Sequence, residues 1–315
     1  MKLVFVYSGN ALPKYARKNI ETTAIRWPNL EIILLSDKQI KGIKSSNVKN
    51  FVLKLDINLE NRLNFLRHDL KFRNGFWLHT LKRFLYLEEY AKQINESYIH
   101  IESDVLLLDS FPLDKFSVIT NDLAYPLISD EKGIASIFYV RDKLSIRRFN
   151  NFIFQKLLNN QRITDMSILS EYVKENPGRV YILPTKPNFE CKEFSGIFDG
   201  ASFGIYLTGT DPRNKNGISD IFVDLTDHSV KPSQYHYLFR NGKLLVTQDK
   251  LFTKQLYNLH IHSKNLKYFK NMKKLSRNTE KLRNKNPRKM RFYIKVFMQM
   301  MCYKVLRKIK LNFNK

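Results

Sequence analysis

The stretch Tyr98-Ile99-His100-Ile101-Glu102-Ser103-Asp104-Val105-Leu106-Leu107-Leu108 places two carboxylates directly after a short apolar strand. Side chains at positions i and i+2 of an extended chain point to the same side, so Glu102 and Asp104 can face one ion while Ser103 faces away. Two carboxylates beside apolar residues are costly unless a cation or hydrogen-bond donors meet them. Oxygen ligands suit Mg²⁺ or Mn²⁺, and either ion would in turn hold a diphosphate. The alternative interpretation is a polar strand end that only forms a turn.

Strands and helices alternate around this stretch. Apolar periodicity in the first hundred residues predicts strands at 3–7, 31–35, 51–55 and 98–101 and helices at 13–27, 59–72 and 77–94. The less regular second half predicts strands at 135–140, 180–183, 235–239, 244–248 and 257–261 and helices at 143–158 and 165–174. The alternation indicates an α/β fold with a parallel sheet whose strand ends bind ligand. No linker rich in Ser or Gly interrupts residues 1–263, so they are expected to form one body.

A second cluster of candidate ligands lies late in the chain, in Leu259-His260-Ile261-His262-Ser263-Lys264. The same spacing of two puts both histidines on one face of a strand, and imidazole is a common ligand of transition-metal ions. Lys264 follows as a donor for phosphate oxygens. Zinc fits less well, because a closed tetrahedral site needs further His or Cys ligands. The alternative is a pair of half-buried histidines on an edge strand.

Three further residues, Asp199, Asp165 and Arg83, have both a functional and an ordinary structural interpretation, and Asp211 has a structural one. Asp199 stands at an N-cap position within a segment of small residues, where capping and packing are favoured over catalysis. Asp165 begins a predicted helix, where an acid stabilises the N-terminus. Arg83 contacts a phosphate or nucleotide, or it is a solvated surface charge. Asp211 precedes a proline in a sequence typical of turns.

The net charge of +25 is distributed unevenly along the chain. Residues 264–315 contain 18 Lys and Arg and one acid, Glu280, whereas residues 1–263 contain 36 basic and 28 acidic residues. Apolar residues between 290 and 311 recur at the spacing of an amphipathic helix, with basic residues near the opposite side. We expect a basic amphipathic helical tail at 269–315 that binds an anionic membrane surface. The alternative is a helix that docks on the body or on a second subunit of a homodimer.

Compartment signals are consistent with this expectation. The N-terminal apolar run at 3–7 is too short for a signal peptide, which predicts a cytoplasmic protein. Cys191 and Cys302 are far apart, so neither a disulfide framework nor a cysteine zinc site is indicated. No window holds the roughly 18 apolar residues of a membrane-spanning helix. Together with the tail, these features predict a peripheral protein on the inner face of the cell membrane.

With these residues laid out, residues 1–268 resemble the GT-A type nucleotide-sugar-dependent glycosyltransferases, especially bacterial enzymes that build cell-surface polysaccharide. Residues 100–104 resemble the DxD metal motif of that family, with Glu in place of the first Asp. Residues 260–264 resemble its C-terminal metal-histidine segment, and 198–204 and 210–214 are similar to other segments of such enzymes. A complete histidine-glycine-lysine motif is not matched. The resemblance implies a Rossmann-like, mixed central sheet flanked by helices.

The resemblance also implies roles for the acid pair and the late histidines. Asp104 would ligate a divalent ion, Mn²⁺ or Mg²⁺, with Glu102 on the ion through water or on the ribose. His262 or, as the less favoured choice, His260 would complete the metal shell. Lys264 would contact the diphosphate of the nucleotide sugar.

The remaining roles concern the nucleotide and the sugar. Tyr7 and Ser8, which end the first strand, and Asp37, which ends the second, match positions that line the nucleotide pocket in that fold. A carboxylate near the sugar removes the proton of the acceptor hydroxyl or stabilises an oxocarbenium-like centre. Asp199 is the first candidate for that carboxylate and Asp165 the second.

The function predicted from the sequence is therefore metal-dependent glycosyl transfer. The donor is a nucleotide-diphosphate sugar, with UDP as the expected nucleotide, and the acceptor is a glycan or lipid-linked sugar of a capsule or lipopolysaccharide. A nucleic-acid-binding protein is an alternative favoured only by charge, and the concentration of that charge in an amphipathic tail favours lipid instead. Another metal-dependent nucleotide enzyme, such as a nucleotidyltransferase, shares the acid pair.

Overall fold

The computed structural model of the protein describes residues 1–9, 11–55, 57–63, 75–159, 163–211, 228–240, 243–248 and 252–270. The predicted tail helix at 290–311 and most of the tail at 269–315 lie outside the described residues. The helix predicted at 59–72 is described as far as Leu63.

The described elements follow the predicted order closely. The strands are β1 Lys2–Tyr7, β2 Ile32–Ser36, β3 Val48–Val52, β4 Tyr98–Ile101, β5 Val105–Leu107, β6 Leu123–Ser129, β7 Lys132–Gly133, β8 Ile137–Val140, β9 Val180–Leu183, β10 His236–Arg240, β11 Lys243–Gln248, β12 Phe252–Gln255 and β13 Asn258–His260. The helices are α1 Lys14–Arg26, α2 Ile57–Leu63, α3 Phe76–Ala91, α4 Lys143–Asn159, α5 Asp165–Glu175, α6 Ser202–Thr208 and α7 Leu266–Lys270.

A mixed sheet forms the centre of the fold, with the strand order β3-β2-β1-β4-β8-β6-β7 and with β9 parallel to β6. The strands β1 to β4 are mutually parallel, as the alternation of strands and helices predicts. The sheet then turns antiparallel, because β8 pairs with β4 and β6 pairs with β8 in that sense. The predicted fold class, a mixed α/β sheet with flanking helices, is confirmed.

Helices cover both faces of this sheet because the parallel strands are apolar on both sides. Along β1, Leu3 and Phe5 pack into a core that includes the apolar side of α1. Val4 faces the other way and packs with residues of α3 and α4. The edge strand β3 begins before the apolar run at 51–55, because its parallel register with β2 starts at the pair Ile32 and Val48. The earlier start adds the polar residues Lys49 and Asn50 to β3, and an edge strand tolerates them because only one of its sides pairs with the sheet.

Two features of the topology determine where a site can form. The carboxyl ends of β1 and β4 meet at one edge of the sheet, since the two strands are parallel neighbours. The short strand β5, which follows the acid pair, pairs antiparallel with β13 in a register that places Val105 opposite His260. The segment that contains the late histidines is thereby fixed beside the acid pair.

The packed region continues past residue 268, the predicted end of the domain. Phe269 is buried against α1, where its carbonyl accepts a hydrogen bond of 3.2 Å from Thr22 and its ring lies 6.3 Å from that of Tyr15. The predicted boundary therefore falls inside α7. Among the helices of the described ranges, none has the length and apolarity needed to cross a membrane.

Candidate active site

A cleft of about 430 Å³ opens at the carboxyl ends of β1 and β4. Its walls are the end of β1, the first turns of α3, the acid pair after β4, the start of α5 and the turn after β13. Ligand sites of α/β sheets lie at this edge because loops from neighbouring strands diverge there. Of the predicted site residues, Tyr7, Ser8, Arg83, Glu102, Asp104, Asp165, His260, His262 and Lys264 line the cleft.

Glu102, Asp104 and His260 form a compact group of metal-ligand atoms. One ligand atom from each lies within 4.8 Å of the other two. His260 Nε2 is 3.5 Å from Glu102 Oε2 and 3.3 Å from Asp104 Oδ1. The backbone fixes the approach, since Ile261 N–H donates to the Asp104 carbonyl at 2.8 Å. Two carboxylates and one imidazole are a donor set that suits Mn²⁺, and its oxygen atoms also suit Mg²⁺.

The charge balance of the cleft also fits a divalent cation. Among the described residues that line it, the carboxylates exceed the permanent cations by two. The acids are Glu102, Asp104, Asp165 and Asp211, and the cations are Arg83 and Lys264. Buried carboxylates without compensation are expensive, so a site with this surplus favours a bound positive charge.

The same field shifts the pKa values within the metal-ligand group. Burial works against the charged form of Asp104, but Lys264 and His260 hold the pKa of that carboxyl well below its usual range. Burial also works against a charged His260, yet Asp104 and then Glu102 raise the pKa of His260 to about 9. The raised pKa of His260 indicates that the two acids favour a positive charge at the position of the imidazole.

His262 lies beside this group rather than within it. The structure brings His260, the less favoured of the two predicted ligands, to the acids. β13 ends at His260 and the chain then turns, with His262 N–H donating to the His260 carbonyl at 2.9 Å. The ring of His262 packs 4.1 Å from that of His260. Burial and the neighbouring His260 hold the pKa of His262 well below its usual value.

Lys264 forms ion pairs with two acids, Asp104 of the metal-ligand group and Asp211. Its Nζ atom is 2.9 Å from Asp104 Oδ2 and 3.3 Å from Asp211 Oδ2. Lys264 has a φ of 49°, a left-handed conformation that a lysine seldom adopts. Backbone strain of this kind persists where the surroundings fix it, and it is common at binding sites. Asp211 is 4% exposed and lines the cleft, although its sequence context indicates only a turn.

Arg83 is a buried ion-pair centre, so its interpretation as a solvated surface charge is wrong. Its guanidinium donates to Glu102 from one nitrogen and to Asp165 from another, and its side chain is 9% exposed. Arg83 thus connects α3, the end of β4 and the first residue of α5. Thr164, which caps α5 through Ser167 N–H at 3.1 Å, leaves the Asp165 carboxylate free to face Arg83. Burial raises the pKa of Asp165, and Arg83 limits the rise.

Asp199 occupies a structural position behind the cleft. Both of its oxygens accept backbone hydrogen bonds, from Phe203 N–H at 3.0 Å, from Gly204 N–H at 2.7 Å and from His260 N–H at 2.9 Å. It is 1% exposed and is not among the residues that line the cleft, and burial raises its pKa to about 6. Its carboxylate ties α6 to β13 and thereby supports His260.

The predicted nucleotide residues lie at the carboxyl ends of β1 and β2 or directly after them. Tyr7 and Ser8 line the cleft, whereas Asp37, which follows β2, supports Ser8 and Gly9. Ser8 Oγ donates to Asp37 Oδ2 and Gly9 N–H donates to Asp37 Oδ1, each at 3.2 Å. Asp37 therefore fixes the turn after β1.

Sequence reasoning missed two buried polar residues of this cleft, Asp211 and His100. His100 is 2% exposed and lines the cleft from β4, two residues before Glu102 in the chain. Burial and then Arg83 lower its pKa to about 3. A histidine inside an otherwise apolar strand is the signal that could have identified it.

No family model matches the sequence, and the search of curated proteins returned no similar sequence. Several solved glycosyltransferases are similar in fold. The PaToxG glycosyltransferase shares 12% identity over 56% of this chain and 69% of its own, with a TM-score of 0.39. The galactosyltransferase LgtC, solved with donor and acceptor sugar analogues, shares 16% over 58% and 73%, with a TM-score of 0.40. Mouse xyloside xylosyltransferase 1 shares 8% over 58% and 84%, with a TM-score of 0.39.

Proposed function

We propose that the protein transfers a sugar from a nucleotide-diphosphate sugar, with UDP as the nucleotide, to a hydroxyl of a glycan or lipid-linked acceptor. One observation carries the proposal: the ligand atoms of Glu102, Asp104 and His260 lie within 4.8 Å of one another, with Lys264 beside them in the cleft. A divalent cation and an ammonium group at one point suit a diphosphate, which needs charge neutralisation on both phosphates.

Glu102, Asp104 and His260 would hold the metal ion in this proposal. When bound, the ion supplies Lewis-acid stabilisation of the negative charge that grows on the departing nucleoside diphosphate. Because imidazole is a better ligand for transition-metal ions than for Mg²⁺, His260 favours Mn²⁺. His262 then packs against His260 and orients its ring.

Lys264 would donate hydrogen bonds to the same diphosphate. Its Nζ atom already lies 2.9 Å from Asp104, so it is directed toward the metal group without any ligand. Fixed donors directed at developing charge lower a barrier more than mobile ones, since they need no reorganisation during the reaction. Asp211 supports this role by holding Lys264 from the opposite side at 3.3 Å.

Asp165 replaces Asp199 as our first candidate for the carboxylate that acts at the sugar. Asp165 lines the cleft and is held by Arg83, whereas the oxygens of Asp199 are occupied by backbone N–H groups. Asp165 would accept the proton of the acceptor hydroxyl or stabilise an oxocarbenium-like centre. The anomeric configuration of the product distinguishes these two roles. Tyr7 and Ser8, supported by Asp37, would bind the nucleoside.

The test is a thermal-shift panel of nucleotides and nucleotide sugars, each with and without Mn²⁺, followed by assays of donor hydrolysis. We expect stabilisation by UDP and UDP-sugars that depends on Mn²⁺. Asp104→Ala should abolish both the Mn²⁺ response and hydrolysis, whereas the exposed Asp114→Ala should keep them. Undiminished hydrolysis in folded Asp104→Ala would contradict the metal assignment. Release of pyrophosphate from a nucleoside triphosphate in the presence of a sugar phosphate, without release of nucleoside diphosphate from nucleotide sugars, would indicate a nucleotidyltransferase.

We also propose a location and a setting for this activity. The basic composition of residues 269–315 favours peripheral attachment to the anionic inner face of the cell membrane, where lipid-linked acceptors for capsule or lipopolysaccharide synthesis are found. The test compares co-sedimentation of the full chain and of a variant truncated after Lys270 with anionic vesicles. Truncation at this point keeps the buried Phe269 in place. Equal binding by both proteins would contradict attachment through the tail, and a change in their oligomeric state would indicate that the tail forms a homodimer.

A further inference from the structure

Three arginines converge on one buried carboxylate, that of Asp122, whose side chain is 5% exposed. Asp122 Oδ1 accepts from Arg141 Nη2 at 2.7 Å. Asp122 Oδ2 lies 2.7 Å from Arg148 Nη2 and accepts from Arg179 Nη1 at 3.0 Å. Arg148 Nε also donates to Oδ2, at 2.8 Å. Arg141, Arg148 and Arg179 are called the arginine cluster below.

The ends of three strands hold the arginine cluster in place. Asp122 precedes β6, Arg141 follows β8 and Arg179 precedes β9. Arg141 N–H donates to the Asp122 carbonyl at 3.0 Å, and Leu123 N–H donates to the Arg179 carbonyl at 3.1 Å. Arg148 joins them from α4. Because the backbone fixes these positions, a ligand at the cluster pays little entropy to order them.

The arginine cluster lies at the end of the sheet opposite the cleft. Val140, the residue before Arg141, pairs with Tyr98 at the start of β4, whereas the cleft opens at the carboxyl end of that strand. Neither Asp122 nor any member of the cluster lines the cleft. A ligand at the cluster is therefore independent of the proposed sugar transfer.

The arginine cluster has more positive charge than its acids balance. One guanidinium can satisfy both oxygens of a carboxylate, so a structural role for Asp122 requires one arginine rather than three. Among the described acids, Asp142 is the other one that pairs with the cluster, at 3.0 Å from Arg141 Nε, and it also caps α4 by accepting from Ser145 N–H at 2.8 Å. Guanidiniums this close repel one another, and an anion between them offsets that repulsion.

The nitrogens of Arg148 and Arg179 can reach one anion together. Since Arg148 Nη2 and Arg179 Nη1 share Asp122 Oδ2, they are at most 5.7 Å apart, the sum of their distances to it. Arg148 Nη1 and both Nε and Nη2 of Arg179 have no acceptor among the described residues. The two side chains are 36% and 47% exposed. Charge-assisted hydrogen bonds are about 2.7–2.9 Å long, so an anion with several oxygens can contact both.

We propose that the arginine cluster binds a phosphate group. A terminal phosphate presents three strong acceptor oxygens, one more than a carboxylate, and planar guanidiniums match such oxygens two at a time. A neutral hydroxyl would leave the surplus charge unchanged. The phosphate belongs either to the headgroup of a membrane lipid or to a free phosphate compound, and a vesicle assay distinguishes these sources.

Titration calorimetry of the full chain with inorganic phosphate, at constant ionic strength and without divalent ions, tests the site. Arg148→Gln combined with Arg179→Gln removes two guanidiniums and leaves Arg141 to pair with Asp122. We expect this double variant to bind phosphate at least tenfold more weakly than the wild type, because the loss of even one hydrogen bond to a charged group costs about tenfold.

Arg147→Gln is the matched control. Arg147 precedes Arg148 on α4 and is also 47% exposed, but it pairs with Glu88 instead of Asp122. The control should bind phosphate like the wild type. Melting temperatures without phosphate show whether each variant folds, and Arg179→Gln alone replaces the double variant if that one does not.

A purely structural role of the arginines predicts a lower melting temperature with unchanged phosphate affinity. That result, or a wild type that binds no phosphate, would overturn the proposal. Phosphate binding that survives the substitutions in full belongs to another site, such as the cleft, and would overturn it as well. Neither result affects the Mn²⁺ response on which the proposed function depends.

Co-sedimentation of the full-length proteins with vesicles of phosphatidylcholine and phosphatidic acid identifies the source of the phosphate. Weaker vesicle binding by the double variant than by Arg147→Gln assigns the site to a lipid headgroup. Equal vesicle binding by these two variants, together with the loss of phosphate binding in the double variant, assigns it to a free phosphate compound.

Discussion

Replacement of Arg83 by Met tests the electrostatic construction of the cleft. Methionine keeps most of the apolar length of the arginine, whose guanidinium carbon lies 5.1 Å from the ring of Phe84, and it removes the charge. The carboxylates of Glu102 and Asp165 then lose their shared partner. Asp165 is 9% exposed and Glu102 is 18% exposed on their side chains, so water compensates them only in part.

The expected cost follows from that burial. Removal of one partner from a buried ion pair destabilises a protein by about 3–5 kcal/mol, because the other charge stays buried without compensation. Because Glu102 is partly exposed, we expect a loss of stability near the lower end of this range, about 3 kcal/mol. For a domain of this size, each kcal/mol lowers the melting temperature by about 2–4 °C, which gives a decrease of about 6–12 °C.

The loss of stability in Arg83→Met should depend on pH in a defined direction. Burial raises the pKa of Asp165 and Arg83 limits that rise, so the pKa of Asp165 should be higher still in Arg83→Met. An acid whose pKa is higher in the folded than in the unfolded protein lowers the stability only where it is ionised. The loss is absent below its unfolded pKa, about 4, and reaches its full size above its folded pKa. The difference between wild type and variant should therefore be largest near neutral pH and should shrink as the pH falls toward about 4.

Thermal unfolding followed by circular dichroism, at about pH 7.5 and about pH 4.5 without metal, measures this difference. Arg147→Met is the matched control, since Arg147 is 47% exposed and pairs with Glu88 at 3.3 Å, and its loss should cost less than about 1 kcal/mol. Adding Asp165→Asn to Arg83→Met should recover part of the stability by removing one unpaired carboxylate. A melting temperature of Arg83→Met equal to that of the wild type, or a loss of the same size at both pH values, would refute the reasoning.

Three further outcomes follow from the contacts around His260. His260→Ala should lose the stabilisation by Mn²⁺ in a thermal-shift assay, whereas His262→Ala should keep most of it; the opposite result would restore His262 as the ligand. Asp199→Asn should lower the free energy of unfolding by about 1–3 kcal/mol, and with it the melting temperature, because an amide presents hydrogens to backbone N–H groups that need an acceptor. Hydrolysis per folded molecule should persist in that variant, and its complete loss would return Asp199 to a catalytic role. Gly204→Ala should disrupt the site, since an added Cβ would collide with the His260 carbonyl; unfolding curves and Mn²⁺ response equal to those of the wild type would contradict this packing.

Much of the fold could be predicted from local pattern. The β4 and β9 strands have the predicted bounds, and α3, α4 and α5 differ from prediction by a few residues at their ends. Amphipathic periodicity specifies the three helices because each of them buries one continuous face, and a short apolar run marks β4, which is buried on both faces. The antiparallel pairing of β8 with β4 and of β13 with β5 could not be predicted, since it joins segments that are distant in the chain.

The site shows the same division at the level of single residues. The spacing of Glu102 and Asp104 at a strand end indicated a cation site, and both side chains lie in the metal-ligand group. The spacing of His260 and His262 predicted a shared face, but the strand ends between them, so only His260 reaches the acids. An alternation rule holds only as long as the backbone remains extended.

The sequence by itself determined which chemical groups the protein has and in which order they follow their strands: an acid pair after β4, histidines and a lysine after β13, and a basic tail. Tertiary structure alone decided which of them lie together. Asp199 was assigned to packing because backbone N–H groups from α6 and β13 converge on its oxygens. Asp211 joined the cleft because the packing of distant segments brought it there. The physical reason is that charge and hydrogen-bonding capacity belong to the residue, whereas distance and burial are fixed by the register of strands far apart in the chain.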